Sequence, residues 1–373
     1  MRHEALLVSG LALGLLAGCG EEGPPPEAAV RATRDLGLVE SAASIRGRDG
    51  GYSLLRDGQA VFFFGDTILA SPGEDGSSWR NNTCAASADL DARDGLGGFV
   101  EREDALGAPV ECFPRTAQEA AFNLAHQGDP CQTEPCGARY AVWPGAVVDD
   151  PERARALAFY HLIYAEPGDF NFSRVGSSLA VWPDGQAAPE RPELAPGAEH
   201  PTQLFPLSDP AFGSAALVDQ DRLYAYACET DWVAKPCRLG RAPLADALDR
   251  ARWEFWAGEA GWVDEPARAE PVMEGNDMLA VGWNRHLERF LAVYNQPMDH
   301  RVMLRTAPRP EGPWSAPLEA FECLAPTEGS GWIYDALPHP ELAREDGRVQ
   351  YLTFSRATGF LMSELRLVEL ELE

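Results

Sequence analysis

The chain has 373 residues, a formal net charge of −27 at pH 7 and a sequence pI of about 4.6. So acidic a body repels phosphate backbones and anionic lipid surfaces, which excludes nucleic acid as a partner and makes a neutral ligand the easier match. Hydrophobic residues at 45% are enough for a substantial core, so the chain is not a disordered one, and its length accommodates one large domain or two ordinary ones.

In chain order, the first element is an export signal. Met1-Arg2-His3-Glu4 precedes an apolar run from Ala5 to Ala17, too short for a spanning helix, which needs about 20 residues. The run ends in Leu16-Ala17-Gly18-Cys19, which resembles the lipobox of bacterial lipoproteins. Cleavage is therefore expected before Cys19, with lipid on that cysteine tying the chain to a membrane of the cell envelope. Gly20 rather than aspartate in the next position resembles lipoproteins sorted to an outer membrane. The alternative is an ordinary cleaved signal with an incidental cysteine. Residues 1–18 read as signal, and residues 19–34, proline-rich and polar, as a flexible linker that holds a domain of residues 35–373 off the bilayer.

Beyond the linker no long amphipathic helical pattern occurs; short apolar runs bounded by Gly, Pro, Asp or Asn read as strands and turns. A first unit runs from Asp49 through the turn Asp57-Gly58 to Thr67, and a second holds Tyr140 to Trp143, Ala156 to Tyr164 and Ser178 to Trp182. A third holds Gly213 to Val218, Arg222 to Ala227 and Arg238 to Pro243, and a fourth Met278 to Trp283, Phe290 to Tyr294 and Val302 to Ala307. The fifth is made of Val349 to Phe354 and Leu365 to Leu372. Small antiparallel sheets recurring in this way predict an all-β, five-bladed propeller, with two β-sandwiches end to end as the alternative. Residues 71–135 read as a loop-rich insertion covering one face.

Seven cysteines remain after Cys19, in a compartment where disulfides persist. Cys131 with Cys136 and Cys228 with Cys237 each close a short loop, Cys84 with Cys112 closes the insertion, and Cys323 is left over. A thiolate metal site is the competing reading, but isolated pairs and singletons fit it poorly. The odd thiol also admits an envelope scaffold joined to another chain through Cys323.

Several phrases occur together: Phe64-Gly65-Asp66-Thr67, Arg241-Ala242-Pro243-Leu244 before Trp253 to Trp256 and Gly261-Trp262, Arg305-Thr306-Ala307 before Glu311 to Trp314, and His339-Pro340-Glu341-Leu342. In this order they resemble a family of exported bacterial five-bladed propellers of unknown function, related to the five-bladed glycosidases, some of whose members resemble D-arabinan-cleaving enzymes. The resemblance covers nearly the whole chain after the signal. It implies a glycoside hydrolase-like propeller acting on a polysaccharide or oligosaccharide, with a non-catalytic propeller that binds carbohydrate or protein as the alternative.

Glycoside hydrolysis needs two carboxyl groups facing across the scissile bond, one of them holding its proton near neutrality. Asp49, opening the innermost strand of the first blade, is the leading base or nucleophile, and Asp66 ends the next strand. Glu274 and Asp277 precede the inner strand of the fourth blade, where the related glycosidases tend to place their acid. Asp335 and His339, before the last blade, are candidate sugar contacts, and Trp79, Trp143, Trp332 and Tyr334 are candidate stacking platforms. For each the competing reading is structural: a solvated carboxylate, a core aromatic, a buried histidine. No nucleophile elbow, Walker loop, dinucleotide fingerprint or zinc motif occurs; no cofactor is expected, and no motif supports calcium.

Overall fold

A computed structural model describes residues 23–128, 131–228, 235–327, 331–359 and 361–373; the signal and Cys19 lie outside them. The described strands form five antiparallel sheets. Blade one is built on Ile45–Arg56 and Gln59–Leu69, blade two on Arg139–Asp150, Arg155–Ala165 and Phe172–Pro183. Blade three is built on Ala215–Asp219, Arg222–Cys228 and Pro236–Pro243, blade four on Leu279–Asn284, Arg289–Asn295 and Arg301–Ala307. Blade five is built on Ile333–Pro338, Val349–Gly359 and Met362–Leu372. The first strand of each blade packs beside those of its neighbours around the centre, so the sheets form a five-bladed propeller.

The middle strands read as unbroken apolar runs because a blade is covered on both faces: in Arg222–Cys228 every residue after the first is buried. Aromatic rings fill the wedges between blades. Phe205, Phe212, Trp253 and Phe255 pack between blades two and three, and Phe63, Phe113, Tyr160 and Trp182 between one and two. The turn Asp57-Gly58 has φ of +50° and +76°, as the two-residue turn joining twisted strands requires.

Two sequence boundaries move. Residues 19–34 are not linker throughout, because Val30–Leu38 is a strand that pairs with Met362–Leu372, Val30 opposite Leu372, and so completes blade five. Residues 71–135 are not wholly an insertion, because Thr83–Ser87 is the third strand of blade one and Val100–Glu101 its fourth. Buried Asn82 stitches this segment down. It accepts from the Cys112 and Phe113 amides, each at 2.8 Å, and donates to the Val142 carbonyl at 2.9 Å. The segment also carries a helix that the apolar pattern did not announce, Ala117–His126, started by a capping box of Thr116 and Glu119. Glu119 is held in turn by Arg191 of blade two, at 2.6 and 2.8 Å.

All three expected disulfides form, Cys84–Cys112, Cys131–Cys136 and Cys228–Cys237. Cys323 is buried and burial pushes its thiol up to about 12, so it offers no reactive thiolate and the scaffold reading through this cysteine fails. Among the described residues no helix is long and apolar enough to cross a membrane.

The inner strands run from the end of the ring called here the mouth to the opposite end, the bottom. Below the mouth, the Tyr52 hydroxyl reaches from blade one to donate to the Ser214 carbonyl at 2.6 Å. With Ala146 and Leu337 it makes an apolar plug that floors the site.

Candidate active site

A bulge in blade one brings the first two carboxylates together. Arg48 pairs with Thr67 and Gly50 with Phe64, so Asp49 alone faces both Gly65 and Asp66. The same device shapes blade five. Between the pairs Tyr334–Ser355 and Leu337–Thr353, Asp335 and Ala336 together oppose Phe354, and Asp335 takes a φ of +56°. Because inner strands of blades one and five lie side by side, the two bulges carry Asp49, Asp66 and Asp335 to one place near the mouth.

Asp49 and Asp66 are half-buried and Asp335 is buried, 9% exposed. The Tyr334 hydroxyl donates to Asp49 Oδ2 at 3.2 Å. Gly65 must lack a side chain: a Cβ there would lie 2.5 Å from Asp49 Oδ1. Trp79 Nε1 donates to Asp66 Oδ1 at 3.0 Å, and the Trp143 side chain also hydrogen-bonds that carboxyl. Burial holds Asp49 well above the usual carboxylate range, and the charges of Asp66 and Asp335 push it further up. Burial lifts Asp66 to about 6 against the two indole donors and the Arg139 guanidinium. Burial, then the charge of Asp277, lifts Asp335 to about 7, opposed by the Gly50 amide and Lys235. The group therefore holds both protonated and ionised carboxyls near neutral pH.

The other sequence candidates divide. Asp277 stands before the inner strand of blade four as expected, but it is a partly exposed rim charge paired with Lys235. Glu274 does not join the group, because it ends Pro271–Glu274, an added strand of blade three, and is exposed. His339 is no sugar contact. It is fully buried between blades one and five, with Nδ1 2.6 Å from Ser53 Oγ and Nε2 2.9 Å from Thr353 Oγ1, and burial alone lowers it to about 3. Tyr334 uses its hydroxyl on Asp49 and is not an open platform. Trp79 and Trp143, placed as sugar contacts, act first on Asp66, and Asp335, also placed as one, belongs with the carboxylates. Sequence reasoning missed Arg139 and Lys235, which lie outside any motif; Arg139 opens the inner strand of blade two and Lys235 stands just before Pro236–Pro243.

Among the described residues four large aromatic side chains are conspicuously exposed, and three of them, Phe170, Phe172 and Trp332, lie at the mouth end. Phe172 meets Trp143 edge-on at 4.8 Å. Phe170 belongs to the mouth-side turn of blade two and Trp332 leads into blade five, yet their rings meet at 6.4 Å. Those blades flank blade one on opposite sides, so this contact bridges its sector of the mouth. A pocket lined by Met298, Asp299, His300, Gly331, Trp332 and Ile333 opens beside it.

Of His, Cys, Asp and Glu groups spaced to share a metal ion, the described residues hold Cys131, Glu134 and Cys136, whose thiols are joined in a disulfide.

The fold and this group define a five-bladed β-propeller with a recessed carboxylate cluster under an aromatic rim. Residues 38–360 match the family described as a domain of unknown function, DUF4185, and the chain belongs to that family. None of the curated proteins matches it. Among solved structures, a Bacteroides ovatus protein provisionally described as a hydrolase is similar, with a TM-score of 0.56 and 16% identity over 90% of this chain and 87% of that one. A GH43_1 enzyme from Xanthomonas citri has a TM-score of 0.46 and 12% identity, covering 91% of this chain and 90% of its own. The catalytic domain of the Coprinopsis cinerea GH62 α-L-arabinofuranosidase has a TM-score of 0.46 and 12% identity, covering 92% and 98%.

Proposed function

We propose that the protein is an envelope lipoprotein, anchored through Cys19, that hydrolyses glycosidic bonds of a polysaccharide or oligosaccharide entering the mouth. The observation that carries this reading is the gathering of Asp49, Asp66 and Asp335 from two blades at one bulged site. A glycosidic bond breaks when one carboxyl gives its proton to the leaving oxygen while an ionised carboxylate attacks the anomeric carbon or takes a proton from the attacking water. A cluster that cannot ionise completely near pH 7 supplies both forms. Tyr334, Trp79 and Trp143 fix which way the carboxyl oxygens point. The uncharged ligand agrees with the net charge of −27.

The aromatic rim favours a second reading, a propeller that binds glycan without cleaving it, since exposed Phe170, Phe172 and Trp332 suit sugar faces with or without chemistry below them. The deciding experiment incubates residues 20–373 with a panel of envelope and plant polysaccharides, arabinans included, beside Asp49→Asn and Asp335→Asn. Oligosaccharide release that either folded variant loses supports hydrolysis. Binding on a glycan array with no release from any substrate replaces it with the second reading.

A further inference from the structure

We propose that the acylated protein rides with the bottom of its ring against the phospholipid surface and its mouth turned away from it. This rests on the acylation of Cys19 proposed above and goes beyond it in fixing orientation. The segment before the first strand is fastened to the ring. The Ala316 amide donates to the Pro24 carbonyl at 2.8 Å, the Glu27 amide to Thr306 Oγ1 at 3.0 Å and the Glu373 amide to the Ala29 carbonyl at 2.9 Å, while Glu27 pairs with Arg289. Gly23 passes so close to blade four that a Cβ there would lie 2.4 Å from the Trp314 carbonyl oxygen.

Every one of these partners lies at the bottom. In each blade the first strand runs down from the mouth, the second returns and the third runs down again. Arg289 opens the second strand of blade four, Thr306 is next to last in its third, and Glu373 follows the third strand of blade five. The chain therefore leaves the ring at the end opposite Asp49, Asp66 and Asp335.

Length decides the rest. Four residue steps separate Gly23 from Cys19, which however arranged reach at most about 14 Å. The 11-residue strand Met362–Leu372 gives the ring a depth of roughly 36 Å at about 3.3 Å per residue. A tether shorter than half that depth, fixed at the bottom, cannot turn the mouth face down onto the bilayer. The acidic body, repelled by anionic headgroups, gains nothing by tipping over. The mouth is thus presented to polymers beyond the lipid surface.

The test uses the full chain, processed in a lipoprotein-making host and reconstituted into phosphatidylethanolamine and phosphatidylglycerol vesicles carrying a headgroup acceptor dye. Donor dyes are placed one at a time at Glu152→Cys, in the bottom turn of blade two, and Asp169→Cys, in its mouth turn; both sites are exposed and Cys323 is buried. Transfer from position 152 should exceed that from 169 at least twofold, and ten Gly/Ser residues inserted after Glu22 should bring the ratio towards one. Mass spectrometry of the amino-terminal peptide accompanies each sample. A Cys19 without acyl mass overturns the anchor and the orientation together. An acylated Cys19 with equal or reversed transfer overturns the orientation alone.

Discussion

Asp335→Asn should make the protein more stable and less active, and the gain should depend on pH in a particular way. Asparagine keeps the shape of a protonated aspartate and tolerates the φ of +56° at this position. In the unfolded chain the carboxyl titrates near 3.9. In the ring it is lifted to about 7, first by burial and then by Asp277. A raised carboxyl opposes folding once ionised: the folded form binds more protons between those values, so wild-type stability falls as pH rises through that window. At 1.36 kcal/mol per pH unit the interval from 3.9 to about 7 costs roughly 4 kcal/mol, a figure that already includes the attraction of Lys235. With an unfolding entropy of about 0.7 kcal/mol/K for some 340 residues, that is a rise in Tm of roughly 6 °C. Melting wild type and variant from pH 4 to 8.5 reads it: no difference at pH 4, divergence between 4 and 7, a plateau above. A variant that tracks the wild type at every pH, or is weaker throughout, refutes the assignment of Asp335 as an ionisation held off by its surroundings.

Gly65→Ala adds no charge and removes none, yet its methyl must displace Asp49 Oδ1; hydrolysis of the best panel substrate should fall at least about tenfold by a drop in kcat, with far-ultraviolet dichroism unchanged. Phe170→Ala and Trp332→Ala should each raise KM for oligosaccharides about two- to tenfold with kcat preserved, as loss of an aromatic face does, and should leave a minimal aryl glycoside unaffected. Replacing Cys84 and Cys112 together by serine frees a loop spanning 28 residues and should cost about 3–4 kcal/mol, measured by urea unfolding against the parent.

Much of the ring was legible because blade strands are buried on both faces and so read as unbroken apolar runs between turn residues, as Phe290 to Tyr294 and Arg222 to Ala227 do. The inner strand of blade five was not. Ile333–Pro338 is short, interrupted by a charged residue at positive φ and bent by a bulge, so it does not alternate. For the same reason Asp335 looked like a loop residue before a blade rather than a member of the site. Thr83–Ser87 hid among turns and cysteines because small residues, not large apolar ones, fill it. Asp49 and Asp66 were visible as carboxylates at strand positions, but what joins them is the one-against-two register of the bulge, which residue types alone do not encode. Glu274 misled because an added strand at the edge of blade three ends there.

The pairing of Val30–Leu38 with Met362–Leu372 also bears on how the protein is made. Contacts between residues so far apart in the chain are the slowest to form, since the whole intervening loop must be closed first. A chain is made amino end first, so Val30–Leu38 waits for Met362–Leu372 to be synthesised before the ring can close. Asp335 and Tyr334 lie in the blade that this late event completes, and Asp49 and Asp66 in the blade beside it. The carboxylate group is then a property of the finished circle alone: a chain stalled or clipped before Met362–Leu372 lacks the sheet that seats Asp335 beside Asp49.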